Sequence, residues 1–170
     1  MDNQQAKVSD IELGWLLGII DGEGNLGFQS TIRRPVKGGM KNPSPRIRIT
    51  MTDVPSLRWI EDLLARLHLP YHVEWRYPIN GDKPSWTVGA VGFRRALRWL
   101  EIITPLLKTK RREAEILYDY TKYRLSQSQK SWTDKDEEFI RLWITEIGPR
   151  SKRNRLLASQ TTRLPGVLTA

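Results

Sequence analysis

The sequence predicts an α+β fold in which helices cover one face of an antiparallel sheet. Two patterns carry this expectation. Segments with apolar residues at helical spacing, such as Leu57, Ile60, Leu64 and Leu67, are interleaved with segments in which apolar and polar residues alternate one by one. Their order is helix, strand, strand, helix, strand, strand, helix. Turn-forming residues separate the strands: Pro35, Gly38, Gly39 and Pro43 in the first pair, Asn80-Gly81 in the second. At 170 residues the chain has single-domain size. One domain is expected over residues 1–147, with a basic tail over 148–170.

The first helix is expected to begin near Asp10, because Ser9 and Glu12 have the spacing of a capping box. Leu13, Leu16, Leu17 and Ile20 give it one apolar face. A second face carries Gly14, Gly18 and Gly22, although each glycine inside a helix costs roughly 1 kcal/mol relative to alanine. Small residues at every fourth position let a second backbone come close, and a second copy of the same helix is the natural partner. Asp21 and Glu23 would then meet their counterparts across an axis. Carboxylates gathered at the negative end of a helix call for cations, and hard, oxygen-coordinated ions such as Mg²⁺ suit them. The plainer alternative is that Asp21-Gly22-Glu23-Gly24 is a turn that ends a core helix.

Asn25 to Arg33 alternates as a half-buried strand: Leu26, Phe28 and Ile32 point one way, and Asn25, Gly27, Gln29, Thr31 and Arg33 the other. The second strand, Arg46 to Thr52, sets Arg46, Arg48 and Thr50 opposite Ile47, Ile49 and Met51. The polar face reads either as an ordinary solvated sheet face or as a two-stranded ribbon whose side chains read base edges in a major groove. Asp53, with Pro55 two residues on, marks the start of the second helix. Tyr71 to Tyr77 is the third strand, with His72, Glu74 and Arg76 on its polar face, and Ser85 to Val91 the fourth, bringing Ser85 and Thr87. Phe93, Ala96, Leu97, Leu100 and Ile103 form the next helix. Thr104-Pro105 restarts the chain into Leu106 to Arg112 and a helix reaching about Arg124. Thr133 and Asp136 have capping-box spacing for a last helix carrying Phe139, Ile140, Trp143, Ile144 and Ile147.

The charge balance is 28 Lys+Arg against 19 Asp+Glu, a net +9, with pI ≈ 10.0. A polyanion is the expected partner. Between Gly24 and Thr52 lie Arg33, Arg34, Lys37, Lys41, Arg46 and Arg48 and no acid, and the tail brings Arg150, Lys152, Arg153, Arg155 and Arg163 with none. The absence of cysteine removes disulfides, thiolate chemistry and cysteine-held zinc. The histidines, His68 and His72, straddle Pro70 and cannot share a helix face as a metal pair. No apolar run approaches a membrane span and the first residues lack signal-peptide form, so the expectation is a soluble intracellular protein with no membrane partner and no small-molecule substrate.

Leu16-Leu17-Gly18-Ile19-Ile20-Asp21-Gly22-Glu23-Gly24 resembles the signature of the LAGLIDADG homing endonucleases, site-specific DNA-cleaving enzymes often carried by introns and inteins. Leu17 stands at the signature's first alanine and Gly22 at its second. The order of elements extends the resemblance from about Ile11 to Arg155, more than residue identity does. It implies an αββαββα core whose sheet forms a saddle over double-stranded DNA, with the extra C-terminal helix and tail beyond it. Glu23, where aspartate is more usual, would hold metal together with the Gly22 carbonyl. The metal would be Mg²⁺ or another divalent cation such as Mn²⁺, and Ca²⁺ is expected to bind without supporting cleavage. Pro105-Leu106-Leu107-Lys108-Thr109-Lys110 resembles the segment that supplies the active-site lysine, here Lys110, with Lys108 the neighbouring candidate. Asp53 stands where a polar residue, often glutamine, orders active-site water, and a plain helix cap is its alternative role. DNA contacts are expected from Asn25, Gly27, Gln29, Thr31, Arg33, Arg46, Arg48, Thr50, His72, Glu74, Arg76, Ser85, Thr87, Lys108, Arg150, Lys152 and Arg153. One copy of the signature implies a homodimer on a pseudopalindromic site, meeting through Gly14, Trp15, Gly18 and Gly22. The alternative is a protein of the same fold without cleavage, either a DNA-binding protein or an RNA-splicing maturase, and the presence of both Glu23 and Lys110 argues against it.

Overall fold

The computed structural model describes residues 7–29, 43–77, 83–127 and 133–147. Its elements follow in the order α1 (Asp10–Glu23), β1 (Gly24–Gln29), β2 (Ser44–Met51), α2 (Val54–Arg66), β3 (His72–Arg76), β4 (Ser85–Val91), α3 (Phe93–Ile103), α4 (Arg111–Ser126) and α5 (Asp134–Ile147). The strands form one antiparallel sheet in the order β1-β2-β4-β3. This is the expected α+β architecture. Thr31 and Arg33, the loop of Pro35 to Asn42, the Asn80-Gly81 turn and the tail with Arg150, Lys152 and Arg153 lie outside the described residues. Among the described residues no helix is long and apolar enough to cross a membrane.

The alternation read from the strands is the alternation observed. Ile47 and Ile49 of β2, Val88 and Ala90 of β4 and Phe28 of β1 are buried beneath the helices with Leu16 and Ile20 of α1, Leu57, Ile60, Leu63 and Leu64 of α2, and Trp99, Leu100 and Ile103 of α3. Each large aliphatic side chain so buried contributes roughly 1.5 to 3 kcal/mol. Gly89 lets β4 lie close to β2, since a Cβ there would stand 2.1 Å from the Ile47 carbonyl oxygen.

After α3 the amides of Leu106 and Leu107 turn back to the Ile103 carbonyl, and the last-but-one helix, α4, begins at Arg111. Leu107 is fully buried and fastens this segment to the core. At α5 the expected capping box is present, with Thr133 and Asp136 bonded to each other. Asp136 also receives a bond of 2.9 Å from Arg124 of α4, a buried ion pair that ties the two helices together. Removing one partner of such a pair typically costs about 3 to 5 kcal/mol.

α1 starts with Ser9 and Glu12 bonded reciprocally, as their spacing predicts. Glu12 has a second partner in α2: Arg66 Nη2 lies 2.5 Å from Glu12 Oε1, while Arg66 Nε binds Asp62 at 2.8 Å. The Arg66 guanidinium, with the amide and hydroxyl of Ser9, holds the Glu12 carboxyl at about 2, below its ordinary 4.5. A depressed carboxylate stabilises the fold fully above 4.5 and loses that contribution as pH falls toward 2. Urea unfolding should therefore show a constant advantage of the wild type over Arg66→Met near neutral pH and a shrinking one below 4.5. An advantage unchanged down to about pH 3 would mean that Arg66 acts through packing rather than through this charge pair.

Candidate active site and nucleic-acid interface

The end of α1 is where the sequence concentrates its unusual residues. Gly24 turns the chain out of the helix into β1 at a point where a Cβ would stand 2.3 Å from the Ile20 carbonyl oxygen, so a larger residue requires the backbone to move. The last carbonyls of a helix lack intrahelical partners and carry its partial negative charge. Here they are met by a cation: Lys110 Nζ donates to the carbonyls of Ile20 (3.1 Å), Asp21 (2.6 Å) and Gly22 (3.1 Å).

Asp21 does not face outward toward a second copy, as the sequence led us to expect. Its carboxylate turns into its own chain and accepts the amides of Lys108 (2.8 Å) and Lys110 (3.1 Å), while the Thr109 hydroxyl donates to its carbonyl (3.3 Å). Partial burial pushes this carboxyl up, but the amides of Lys108 and Lys110 and the groups of Thr109 together outweigh it and leave it below the ordinary 3.8. An unfilled helix end attracts whatever donors lie near, and segment 108–110 supplies them. Position in the sequence did not reveal this, because the partners are 87 to 89 residues apart.

Glu23 behaves differently. It is exposed, and its side chain makes no hydrogen bond or ion pair among the described residues. It lines an open pocket of ≈ 310 Å³ with Thr50, Met51, Thr52, Asp53 and Ser85. Asp53 thus stands at the same pocket as Glu23. It also caps α2, accepting the Ser56 amide at 2.8 Å, and the Ser56 hydroxyl together with this amide holds its carboxyl below the ordinary 3.8. Thr52 and Met51 were not anticipated at the site, although Thr52 continues the strand on which Thr50 was named.

The Glu23 carboxylate and the Gly22 carbonyl are hard oxygen donors of the kind that Mg²⁺, Mn²⁺ and Ca²⁺ take. The binding of an ammonium by that same carbonyl supports the fit. Among the described residues no group of three or more His, Asp or Glu side chains is gathered in a way that would hold a metal. Gly14, Gly18 and Gly22 are exposed, and a Cβ on any of them would meet nothing within 4 Å. Trp15 beside them packs on Trp59 of α2, with ring centroids 4.5 Å apart.

The register places the expected polar residues on one sheet face. Asn25 pairs with Arg48 and Gly27 with Arg46, Arg48 with Gly89, Thr50 with Thr87, and Glu74 and Arg76 with Thr87 and Ser85, while His72 stands opposite Gly89. These side chains bind one another. Arg46 donates to Asn25 (2.8 Å), and a single oxygen of Glu74, Oε1, meets both Arg48 Nη2 (3.4 Å) and His72 Nε2 (3.2 Å). Two members of the face are not open to a partner in the way the sequence implied. Thr87 has 0% exposure and shares its hydroxyl with Thr50 at 2.8 Å, because flanking strands crowd it on both sides. Gly27 is buried, and a Cβ there would lie 3.8 Å from Trp143 of α5. Lys108 is exposed beside the end of α1.

No family model and no curated protein matches the sequence. Solved structures do. The homing endonuclease I-CvuI, in complex with its target in the presence of 2 mM Ca, is 15% identical over 91% of this chain and 96% of its own, with a TM-score of 0.57. The same protein in complex with the I-CreI target in the presence of 2 mM Mg, its DNA not cleaved, gives 16% identity, the same coverage and a TM-score of 0.52. The archaeal intron-encoded homing endonuclease I-Vdi141I, complexed with DNA, is 18% identical over 93% of this chain and 87% of its own, with a TM-score of 0.56. The chain has the LAGLIDADG homing endonuclease fold.

Within the LAGLIDADG fold, α1 carries the stretch that resembles the signature, and its end brings Gly22, Glu23 and Lys110 together. Asp53 and Ser85 join Glu23 from the adjoining strand ends. The polar sheet face begins at this same place, since Gly24 pairs with Ile49 and Asn25 with Arg48. Carboxylate, lysine and a face of hydrogen-bonding side chains thus form one continuous surface.

Proposed function

We propose that the protein is a site-specific DNA endonuclease, acting as a homodimer that hydrolyses phosphodiester bonds in both strands of a long pseudopalindromic site. The observation that carries this reading is Glu23: a carboxylate with no partner among the described residues, at the end of α1, next to the carbonyl that Lys110 binds and to the polar face of the sheet. A structural turn would have no need of an unpaired acid at that place. The DNA-bound state of the solved homing endonucleases with this fold supports DNA as the partner.

In this reading the sheet binds and orients the duplex with its polar face toward the major groove. Mg²⁺ or another divalent cation such as Mn²⁺, held by Glu23 and the Gly22 carbonyl, would neutralise phosphate charge and promote ionisation of water. The Lys110 ammonium adds positive charge at the helix end, close to where a phosphate would lie. Asp53, ionised and lining the pocket, is placed to accept a proton or hydrogen bond from water there. Both half-sites need their own Glu23, and the open glycine face of α1 is suited to bring two copies together.

Selection of cleaved sites from a random double-stranded DNA library with Mg²⁺ present tests the reading. Recovery of a single pseudopalindromic family of sequences is expected. Specific binding without cleavage would favour the alternative, a non-cleaving DNA-binding protein of this fold.

Base discrimination is expected from Arg48. Its side chain is only 14% exposed and rests against Glu74, so it is held in one place rather than free to follow any phosphate. Replacing it with alanine should relax preference at one base pair per half-site by about 1 to 3 kcal/mol. Lys152→Ala or Arg153→Ala in the tail should instead weaken all sequences alike and lower the salt slope by about 1. Binding measured across a panel of single-base variants separates the two. Uniform weakening by Arg48→Ala would make it a phosphate anchor.

A further inference from the structure

The segment that delivers Lys110 has no regular structure. It runs from buried Leu107, whose amide returns to the Ile103 carbonyl, to the start of α4 at Arg111, and among the described residues no backbone carbonyl takes the amides of Lys108 and Lys110. A lysine on such a segment takes a fixed position only if its backbone is held. Asp21 supplies the hold: one carboxylate oxygen accepts the Lys108 amide at 2.8 Å, the other accepts the Lys110 amide at 3.1 Å, and the Thr109 hydroxyl reaches the Asp21 carbonyl at 3.3 Å. With the backbone so fixed, the Lys110 side chain curls back onto the carbonyls of Ile20, Asp21 and Gly22.

We propose that Asp21 is a positioning residue, whose carboxylate clamps segment 108–110 to the end of α1 and thereby sets the Lys110 ammonium against the backbone that precedes Glu23. Both acids of the Asp21-Gly22-Glu23-Gly24 stretch then have separate tasks. Asp21 faces inward and organises the chain, while Glu23 faces outward and remains available. A carboxylate is required for the inward task, because it offers acceptors on both oxygens. Asparagine keeps the shape but turns one acceptor into a donor that confronts an amide N–H. The catalytic consequence rests on the endonuclease reading above, whereas the clamp itself does not.

The test has parts that need no cleavage. In the wild-type protein, amide hydrogen exchange at Lys108 and Lys110 should be slowed at least roughly tenfold relative to an unstructured chain. Exchange at the unstructured rate would overturn the clamp. In Asp21→Asn, acylation of the Lys110 amine, read by peptide mass spectrometry against exposed Lys108, should rise from strongly protected to near the Lys108 level. A folded variant in which Lys110 stays protected would also overturn it, and if the variant does not fold, the wild-type exchange rates still decide. Where cleavage is measurable, Asp21→Asn should lower kcat by roughly tenfold or more with KM for DNA unchanged, and should cost nothing further in a Lys110→Met background. Additive losses would show that Asp21 does not act through Lys110. Absence of cutting by the wild type would remove the endonuclease reading and leave exchange and labelling to judge the clamp.

Discussion

Glu23→Gln is expected to abolish cleavage while leaving DNA affinity within a few-fold of wild type. The substitution keeps size and hydrogen-bonding capacity and removes one negative charge from the pocket that Glu23 shares with Asp53. Under the proposed function a divalent cation would be held there chiefly by that charge, since the Gly22 carbonyl is a neutral donor already engaged by Lys110. We expect a fall in kcat of roughly 10³-fold or more, equivalent to about 4 kcal/mol of transition-state stabilisation. In the proposed function affinity would rest on many phosphate and base contacts spread over the sheet, and the loss of an acid facing a polyanion would tighten binding slightly if it changed it at all. Gel-shift measurements in Ca²⁺ and cleavage assays in Mg²⁺ on one preparation distinguish the two effects. Undiminished cutting by the variant would take Glu23 out of the site.

The second large effect is expected at Gly18. Within one chain nothing stands within 4 Å of a Cβ at this position, so the fold itself has room for a larger residue. Glycine in a helix interior is about 1 kcal/mol worse than alanine, and a leucine there should make α1 of an isolated chain more stable. If two α1 helices touch along Gly14, Gly18 and Gly22, the same leucine keeps their backbones apart. Gly18→Leu should thus unfold at equal or higher denaturant concentration as a monomer, yet fail to dimerise and fail to cut. Opposite signs in folding and association are the diagnostic. Sedimentation showing an intact dimer of the variant would place the contact between copies elsewhere on the surface.

What the sequence makes legible divides by distance along the chain. The capping boxes at Ser9 and Thr133, the alternation of Ile47 and Ile49 against Arg46 and Arg48, and the limits of β4 all depend on residues a few positions apart, and all are found as expected. What it concealed depends on remote neighbours. The restart after Thr104-Pro105 was legible, but not that the amides of Lys108 and Lys110 are claimed by Asp21 across the fold. Thr87 alternates correctly and is nevertheless fully covered, because exposure on a central strand is decided by the strands beside it. The capping role of Asp53 was legible from its place before Pro55. The residue caps α2 and also lines the pocket with Glu23, and nothing local could have joined those two roles.

The mutual bonding of the sheet's polar side chains bears on how such a surface changes over generations. Arg48 of β2 reaches Glu74 of β3, 26 residues on, Glu74 also contacts His72 two residues before it on the same strand, and Arg46 is linked to Asn25 of β1. Replacing any one of them releases its neighbours to new conformations, so the effect of a substitution at Arg48 depends on what occupies position 74. Mutational scans of this face should therefore show strong epistasis within each linked group and near-additivity between groups. A lineage drifting toward a new recognition sequence would then move by correlated exchanges at Arg48, Glu74 and His72, and single-residue libraries would sample few of the paths open to it.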